Sequence, residues 1–236
     1  MKSYLLLLYK LITYNVKVIF GNKFVYFVVA AFLFFGFIIL ITILEGDSDF
    51  NEALIYGFLV FPGLLLIFYP MAYGIQNDDD SKMLETIFGI PNYRYKVWLV
   101  RFVLTIGIAA VILVILGVLA DLTLYRFSIL PMIGQVLFPI TFLSSLAFML
   151  STLIKNGNGT AIVMVIVSFI FFIFFELLEY SAYNVFLNPF SEPRGMSDFI
   201  WLTVIYKNRL YLMILTVLCL LYGMFNLQFR EKFVSG

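Results

Sequence analysis

The sequence predicts an all-α, polytopic membrane protein with six transmembrane helices. The chain of 236 residues is 63% hydrophobic and only 12% charged, with a mean hydropathy of +1.04, whereas soluble domains carry roughly 25% charged residues. Its apolar residues are gathered in runs close to the roughly 20 residues that cross the hydrocarbon core of a bilayer. Because little chain remains between these runs, residues 1–236 are expected to form a single membrane domain.

Short polar or acidic connections separate the six predicted spans. The spans comprise residues 24–44, 53–75, 97–120, 131–154, 160–178 and 210–227. Pro62 and Pro70 lie inside the second span and predict kinks, because proline lacks the backbone donor. The connection of residues 179–207 contains Pro189, Pro193 and an apolar patch, so we expect an extracellular cap that is folded rather than a free linker.

Residues 3–20, near the amino terminus, predict an interfacial helix. Lys10, Thr13 and Lys17 recur at the spacing of one helical stripe, and the other face is largely apolar. At a membrane interface, lysine extends its charged head to water while its stem stays in lipid. A poor first span is the alternative. We expect no cleaved signal peptide, because lysines interrupt the apolar stretch.

The basic residues predict the orientation of the chain. With six spans, 11 of the 15 lysine and arginine residues fall on one side of the membrane. The other side receives Arg126, Arg194, Lys207 and Arg209. Because basic residues collect on the cytoplasmic side, we expect a multi-pass protein of the cytoplasmic membrane with both termini in the cytoplasm.

The composition excludes several kinds of chemistry. Histidine is absent and Cys219 is the single cysteine, so the chain cannot form an intrachain disulfide, a Cys/His zinc site or a Ser-His-Asp triad. No GxxxxGK[ST] phosphate-binding loop occurs, so any ATP hydrolysis must come from another chain. The net charge of +1 gives no bulk attraction to nucleic acid.

The polar connection of residues 76–96 has the pattern of a short helix. Its acidic residues 78–80 crowd the predicted start, where free backbone N–H groups favour anions, and Asp80 or Ser81 is expected to cap it. The apolar face of the helix consists of Met83, Leu84, Ile87 and Phe88. A helix of about two turns is marginal alone in water. This face must therefore be buried, either against the chain's own spans or in a groove on a soluble partner.

The run from Ser81 to Arg94, SKMLETIFGIPNYR, resembles the cytoplasmic stretch between the second and third spans of type-2 ABC exporter permeases. In that family the stretch often reads Thr-Leu-Glu, an apolar pair, a small residue, Leu-Pro and Ser-Arg; here Met83 replaces the common threonine. The resemblance implies that residues 81–89 form a coupling helix that docks on a separate ATPase subunit. The docking residues it implies are Ser81, Met83, Leu84, Glu85, Ile87 and Phe88.

The resemblance also extends to organisation and implies partners. The interfacial helix, six spans and outer cap resemble the arrangement of the same family, in which two permease subunits, identical or different, form the path through the lipid bilayer. The ATP and Mg²⁺ would be bound by the partner ATPase, with no cofactor in this chain. An ion-coupled secondary transporter is one alternative, although such carriers usually place charge or broken helices near mid-membrane. A membrane-embedded enzyme is the other.

Three ionisable residues are candidates for an outer site. Glu176 lies among aromatic residues near the outer end of the fifth predicted span, where a carboxylate needs a partner or a wet cavity. Lys207 and Arg209 are the expected partners, in either a structural ion pair or a gating site. Arg101 and Asp121 flank the third span and are expected to be interfacial anchors.

Overall fold

The computed structural model describes residues 23–45 and 50–229, together with Tyr9 and Thr13. Apart from these two residues, the predicted interfacial helix lies outside the described part of the chain. All regular elements of the described ranges are helices. They are α1 (Phe24–Glu45), α2 (Glu52–Ala72), α3 (Gly74–Asp80), α4 (Met83–Phe88), a π-helix (Arg94–Leu99), α5 (Val100–Thr123), α6 (Ile129–Ile154), α7 (Gly157–Ile173) and α8 (Asp198–Asn226).

Within the described residues, five helical stretches are long and apolar enough to cross a membrane. They are Phe24–Thr42, Glu52–Asp80, Arg94–Thr123, Ile129–Ile154 and Asp198–Asn226. The second stretch combines α2 with α3, and the third combines the π-helix with α5. The chain is therefore an all-α, multi-pass membrane protein.

The fifth predicted span, residues 160–178, corresponds to the shorter helix α7. Asn156 caps its start by accepting a hydrogen bond from the Gly159 amide at 3.0 Å, so the helix begins at Gly157. It ends at Ile173 and is followed by turns. Its 17 residues measure about 26 Å at 1.5 Å per residue, whereas the hydrocarbon core is about 30 Å thick.

Helix α6 lies at the centre of the bundle and contacts α2, α5, α7 and α8. It runs parallel to α8, because Gln135 hydrogen-bonds Arg209 in the first half of each helix and Thr152 hydrogen-bonds Asn226 near their ends. The α4 end of the bundle contains α3, α4 and the last turn of α8. The opposite end, called the far end below, contains the start of α2 and the connection before α8.

The connection at the far end is folded against the helices. Leu187 is 1% exposed, Asn188 donates to the Ala53 carbonyl at 2.8 Å, and Trp201 donates to the Pro189 carbonyl at 3.1 Å. Helix α8 begins at Asp198, so the expected cap of residues 179–207 includes the first turns of this helix. Residues 198–226 are therefore helical, and the irregular part of the connection is confined to residues 174–197.

Close packing between α2 and α6 depends on a glycine. Gly63 faces Ile140, which is fully buried, and a Cβ atom at Gly63 would overlap the Ile140 side chain. Gly57, six residues earlier on the same helix, faces open space, with nothing within 4 Å of an added Cβ atom. Small residues at helix crossings let two backbones approach closely in a membrane, where packing rather than the hydrophobic effect drives association.

We predict that Gly63→Leu destabilises the bundle by about 1–3 kcal/mol, because Ile140 is enclosed and overpacking forces side chains from their preferred rotamers. Gly57→Leu is the matched control and is expected to leave stability within about 0.5 kcal/mol or to raise it. Thermal unfolding of both purified variants in detergent measures the difference. Equal unfolding temperatures for the two variants contradict the assignment of a tight α2–α6 crossing.

Candidate functional site

The acidic run Asp78–Asp80 ends one helix instead of starting the next. Helix α3 continues the second span to Asp80, and the Ser81 hydroxyl donates back to the Asn77 carbonyl at 2.7 Å. Helix α4 then begins at Met83, after Lys82 in the left-handed region (φ 55°) and without a side-chain cap. The expectation that Asp80 or Ser81 caps the short helix is therefore corrected.

Asp78 turns into the bundle and pairs with Arg101. The Arg101 Nη1 atom lies 2.7 Å from an Asp78 carboxylate oxygen, and the two side chains are 7% and 3% exposed. The guanidinium also lies over the Trp98 ring, 4.8 Å from its centroid. Arg101 was expected to be an interfacial anchor; it is instead half of a buried ion pair that joins the end of the second span to the start of the third.

Helix α4 is packed onto its own bundle. Leu84, Ile87 and Phe88 are 3–5% exposed and belong to the chain's hydrophobic core, and Met83 packs against that core. Of the two alternatives for the apolar face, the structure shows burial against the chain's own helices. This corrects the expectation that Leu84, Ile87 and Phe88 contact an ATPase, because their side chains are already covered.

The opposite face of α4 is polar and exposed. It presents Glu85 and Thr86, and the neighbouring Ser81 and Lys82 in the turn before the helix are also exposed. Of the residues expected to dock on a partner, Ser81 and Glu85 are therefore the two that solvent reaches freely. Ile90, just beyond the helix, adds an apolar side chain that is 37% exposed.

The chain after α4 is fixed to the end of α8. The Tyr93 hydroxyl donates to the Leu227 carbonyl, and the Tyr93 ring packs edge-on against Phe88 at 5.1 Å. Arg94 donates to the Met224 carbonyl at 3.5 Å. The connecting segment, defined as residues 73–99, is thus held by the second span, the third span and the last helix. A displacement of α4 is expected to be transmitted to all three.

A cavity of about 770 Å³ lies at the α4 end between α1, α2, α3 and the start of α7. Its aromatic wall contains a stacked series in which Tyr69 lies 5.3 Å from Phe27 and 5.1 Å from Tyr73. The polar groups on its rim bind one another, since Tyr73 donates to Asn158 at 2.9 Å. Because Lys23 and Asp80 both line it, the cavity has no single preferred charge.

The three residues of the expected outer site do not come together as predicted. Glu176 and Lys207 are exposed, whereas Arg209 is buried at 6% exposure. No ion pair links Glu176 to either basic residue. Arg209 is instead held by neutral groups, since its Nε donates to Gln135 at 2.8 Å and its Nη1 to Asn208 at 2.9 Å. The predicted pair is wrong because Arg209 finds its partners on α6 and α8.

Comparison with known proteins gives no relative to set beside these residues: no protein-family model, no curated protein and no solved structure matches the chain. In the described ranges, no group of three or more His, Cys, Asp or Glu side chains is placed to hold a metal ion. The site must therefore be interpreted from its own geometry. The short helix α4 is packed on the bundle by its apolar face, and its polar face is exposed.

We predict that Asp78→Leu destabilises the protein by about 3–5 kcal/mol, because it leaves the Arg101 charge buried without its partner. The double variant Asp78→Leu, Arg101→Met is expected to recover most of this loss, since it removes both charges. Asp79→Leu, at the exposed neighbouring position, is the control and should stay within about 0.5 kcal/mol of the parent. If Asp78→Leu and Asp79→Leu unfold alike in detergent, the buried pair does not stabilise the connecting segment.

Proposed function

We propose that this chain is the transmembrane permease subunit of an ATP-driven ABC exporter. A second permease subunit completes the path through the bilayer, and separate ATPase subunits supply the energy. The observation that carries this proposal is the placement of α4, which is fastened to the spans by its apolar face and exposes its polar face. The resemblance of residues 81–94 to the coupling segment of type-2 exporter permeases supports the same conclusion.

A coupling element has to be rigidly joined to the helices that it moves. Here the buried Asp78–Arg101 pair joins α3 to α5, and Tyr93 joins the segment after α4 to the end of α8. Breaking a buried pair costs about 3–5 kcal/mol, so these contacts can resist a push on α4 without yielding first. A loosely attached helix would absorb the push by local unfolding.

The proposed docking face is the polar one, residues Ser81, Lys82, Glu85 and Thr86. These side chains have mixed charge and are exposed, which suits the rim of a protein–protein contact better than its apolar centre. Ile90 is the exposed apolar neighbour that can act as an anchor. The buried residues Leu84, Ile87 and Phe88 then set the position of this face without touching the ATPase.

The proposal includes six spans and cytoplasmic termini. Helix α7 then serves as the fifth span, although its regular part is only 17 residues long. The turns that follow it from Phe174 to Leu178 carry hydrogen bonds such as Leu178 N to Phe174 O at 3.0 Å. These bonds satisfy backbone groups near the far membrane surface, where unpaired donors and acceptors are costly.

We predict that Glu85→Lys lowers capture of the ATPase subunit from the native host by roughly tenfold, equivalent to about 1.4 kcal/mol, because it reverses a charge on the proposed docking face. Glu192→Lys makes the same change at an exposed site in the far-end connection and is expected to leave capture unchanged. Co-purification with the tagged permease measures both variants. Since Glu85 is exposed, unfolding temperatures should stay equal.

Leu84→Lys is expected to behave differently and separates docking from folding. Leu84 is 3% exposed, so a charge there should lower the unfolding temperature whether or not an ATPase binds.

Normal ATPase capture by Glu85→Lys rules out the polar face as the docking surface. Capture of no ATPase by the parent protein in the native host contradicts the exporter proposal itself.

Cysteine labelling tests the proposed topology. Single cysteines at Thr86, Lys155 and Arg194, in a Cys219→Ser background, place one reporter on each of three connections. In intact cells a membrane-impermeant maleimide is expected to label the cysteine at 194 and to label those at 86 and 155 only after permeabilisation. If residues 155 and 194 react on the same side, α7 does not cross the membrane.

A further inference from the structure

Arg209 is a buried cation whose described partners are all neutral. It is 6% exposed, and its three hydrogen bonds go to the Gln135 side chain, the Asn208 side chain and, at 3.3 Å, the Leu187 carbonyl. No carboxylate of the described residues pairs with it. Arg101, the other buried arginine of the described residues, has the Asp78 carboxylate at 2.7 Å. The two arginines are alike in burial but differ in charge compensation.

The surroundings of Arg209 retain free donors. A guanidinium has five N–H groups, so its three hydrogen bonds leave two. Tyr56 lies beside Arg209 and is 2% exposed, and its phenol is a neutral neighbour that supplies no counter-charge. A buried cation without a counter-charge carries a desolvation penalty of several kcal/mol. The Arg209 cluster, defined as Arg209, Tyr56, Gln135 and Asn208, therefore favours an anion.

An apolar groove begins next to this cluster. Arg209 lies over the Phe138 ring at 5.3 Å, and Phe138 is one wall of a groove of about 330 Å³ between α6 and α8. The groove is lined by Gly134, Leu137, Phe138, Thr141, Leu212, Met213, Thr216 and Val217. Met213 and Val217 are 50% and 53% exposed, so the groove opens on the outer surface of the bundle.

The length of α8 places the cluster near one surface of the membrane. Helix α8 has 29 residues, more than the roughly 20 that cross the hydrocarbon core. Counting about 20 residues back from Asn226, at the α4 end, places the other boundary of the core close to Lys207. Arg209 is then at the boundary, and the groove extends from it toward the interior of the bilayer along Leu212 and Thr216.

We propose that the Arg209 cluster and the α6–α8 groove form a binding site for an anionic phospholipid, whose phosphate pairs with Arg209 while an acyl chain occupies the groove. The planar guanidinium suits a phosphate because it offers parallel N–H donors, and the groove supplies the apolar surface that a free phosphate ion would not use. The site stands apart from the proposed export function, since it needs no ATPase and no nucleotide.

Lipid binding to the purified full-length chain tests the site. The probes are dioleoylphosphatidylglycerol and dioleoylphosphatidylcholine, which have the same chains and differ in charge, and native mass spectrometry counts bound lipids. The parent protein is expected to prefer the anionic lipid by about tenfold, and Arg209→Gln to lose that preference. Lys207→Gln removes an exposed positive charge two residues away on the same helix and should keep it. Equal preference in the Arg209→Gln and Lys207→Gln proteins overturns the proposal.

A second variant keeps the test decisive should Arg209→Gln fail to fold. Gly134 lines the groove, and an added Cβ atom there meets nothing within 4 Å, so Gly134→Leu fills the groove without disturbing the fold. It is expected to weaken binding of both lipids several-fold while Arg209 stays in place. Unchanged binding by Gly134→Leu, or displacement of the lipid by inorganic phosphate alone, overturns the acyl-chain assignment. A shift of Gly134→Leu from dimer to monomer, with lipid binding unaffected, shows that a second copy occupies the groove instead.

Discussion

The connecting segment depends on the ion pair between Asp78 and Arg101, because it places two opposite charges where neither could remain alone. The pair is almost fully buried and is backed by the Trp98 ring. It forces Asp78 inward, so α3 continues the second span and the acidic run cannot begin the next helix. The chain then needs the left-handed Lys82 to change direction before α4 starts. The position of α4 follows from this one contact.

The same contact decides which face of α4 is available. Once α3 and α5 are joined, Leu84, Ile87 and Phe88 fall on the core, and Glu85 and Thr86 are left in solvent. A six-residue helix has too few backbone hydrogen bonds to be stable alone, so its order comes from this packing. The same packing therefore makes α4 rigid and leaves its polar face exposed. A protein that pushed on the polar face would act on the spans through side chains that it never contacts.

The fold was predictable where hydrophobicity alone decides it. The apolar runs gave the membrane class and the places of the long helices, because crossing a bilayer constrains length and composition. The partners of polar residues were not predictable. Three adjacent aspartates fit a helix start, and only the position of Arg101 within an apolar run, where a charge needs compensation, hints that one of them is drawn inward. The sequence predicted a pair between Arg209 and Glu176 because both lie near the same end of their predicted spans. The actual partners of Arg209, Gln135 and Asn208, are neutral, and no sequence pattern marks them as partners of a buried charge.

The two buried arginines show how the same residue serves two different physical roles in one bundle. Arg101 has a carboxylate partner within the chain, so its charge is neutralised locally and its effect is to hold two elements together. Arg209 has amide and carbonyl partners that satisfy part of its hydrogen-bonding capacity but leave the charge. In a medium of low dielectric constant, a charge that is solvated but not neutralised attracts counter-charge from outside. Whether a buried arginine stabilises the fold, as Arg101 does, or is able to bind an anion, as proposed for Arg209, thus depends on whether an acidic residue lies within reach and not on burial alone.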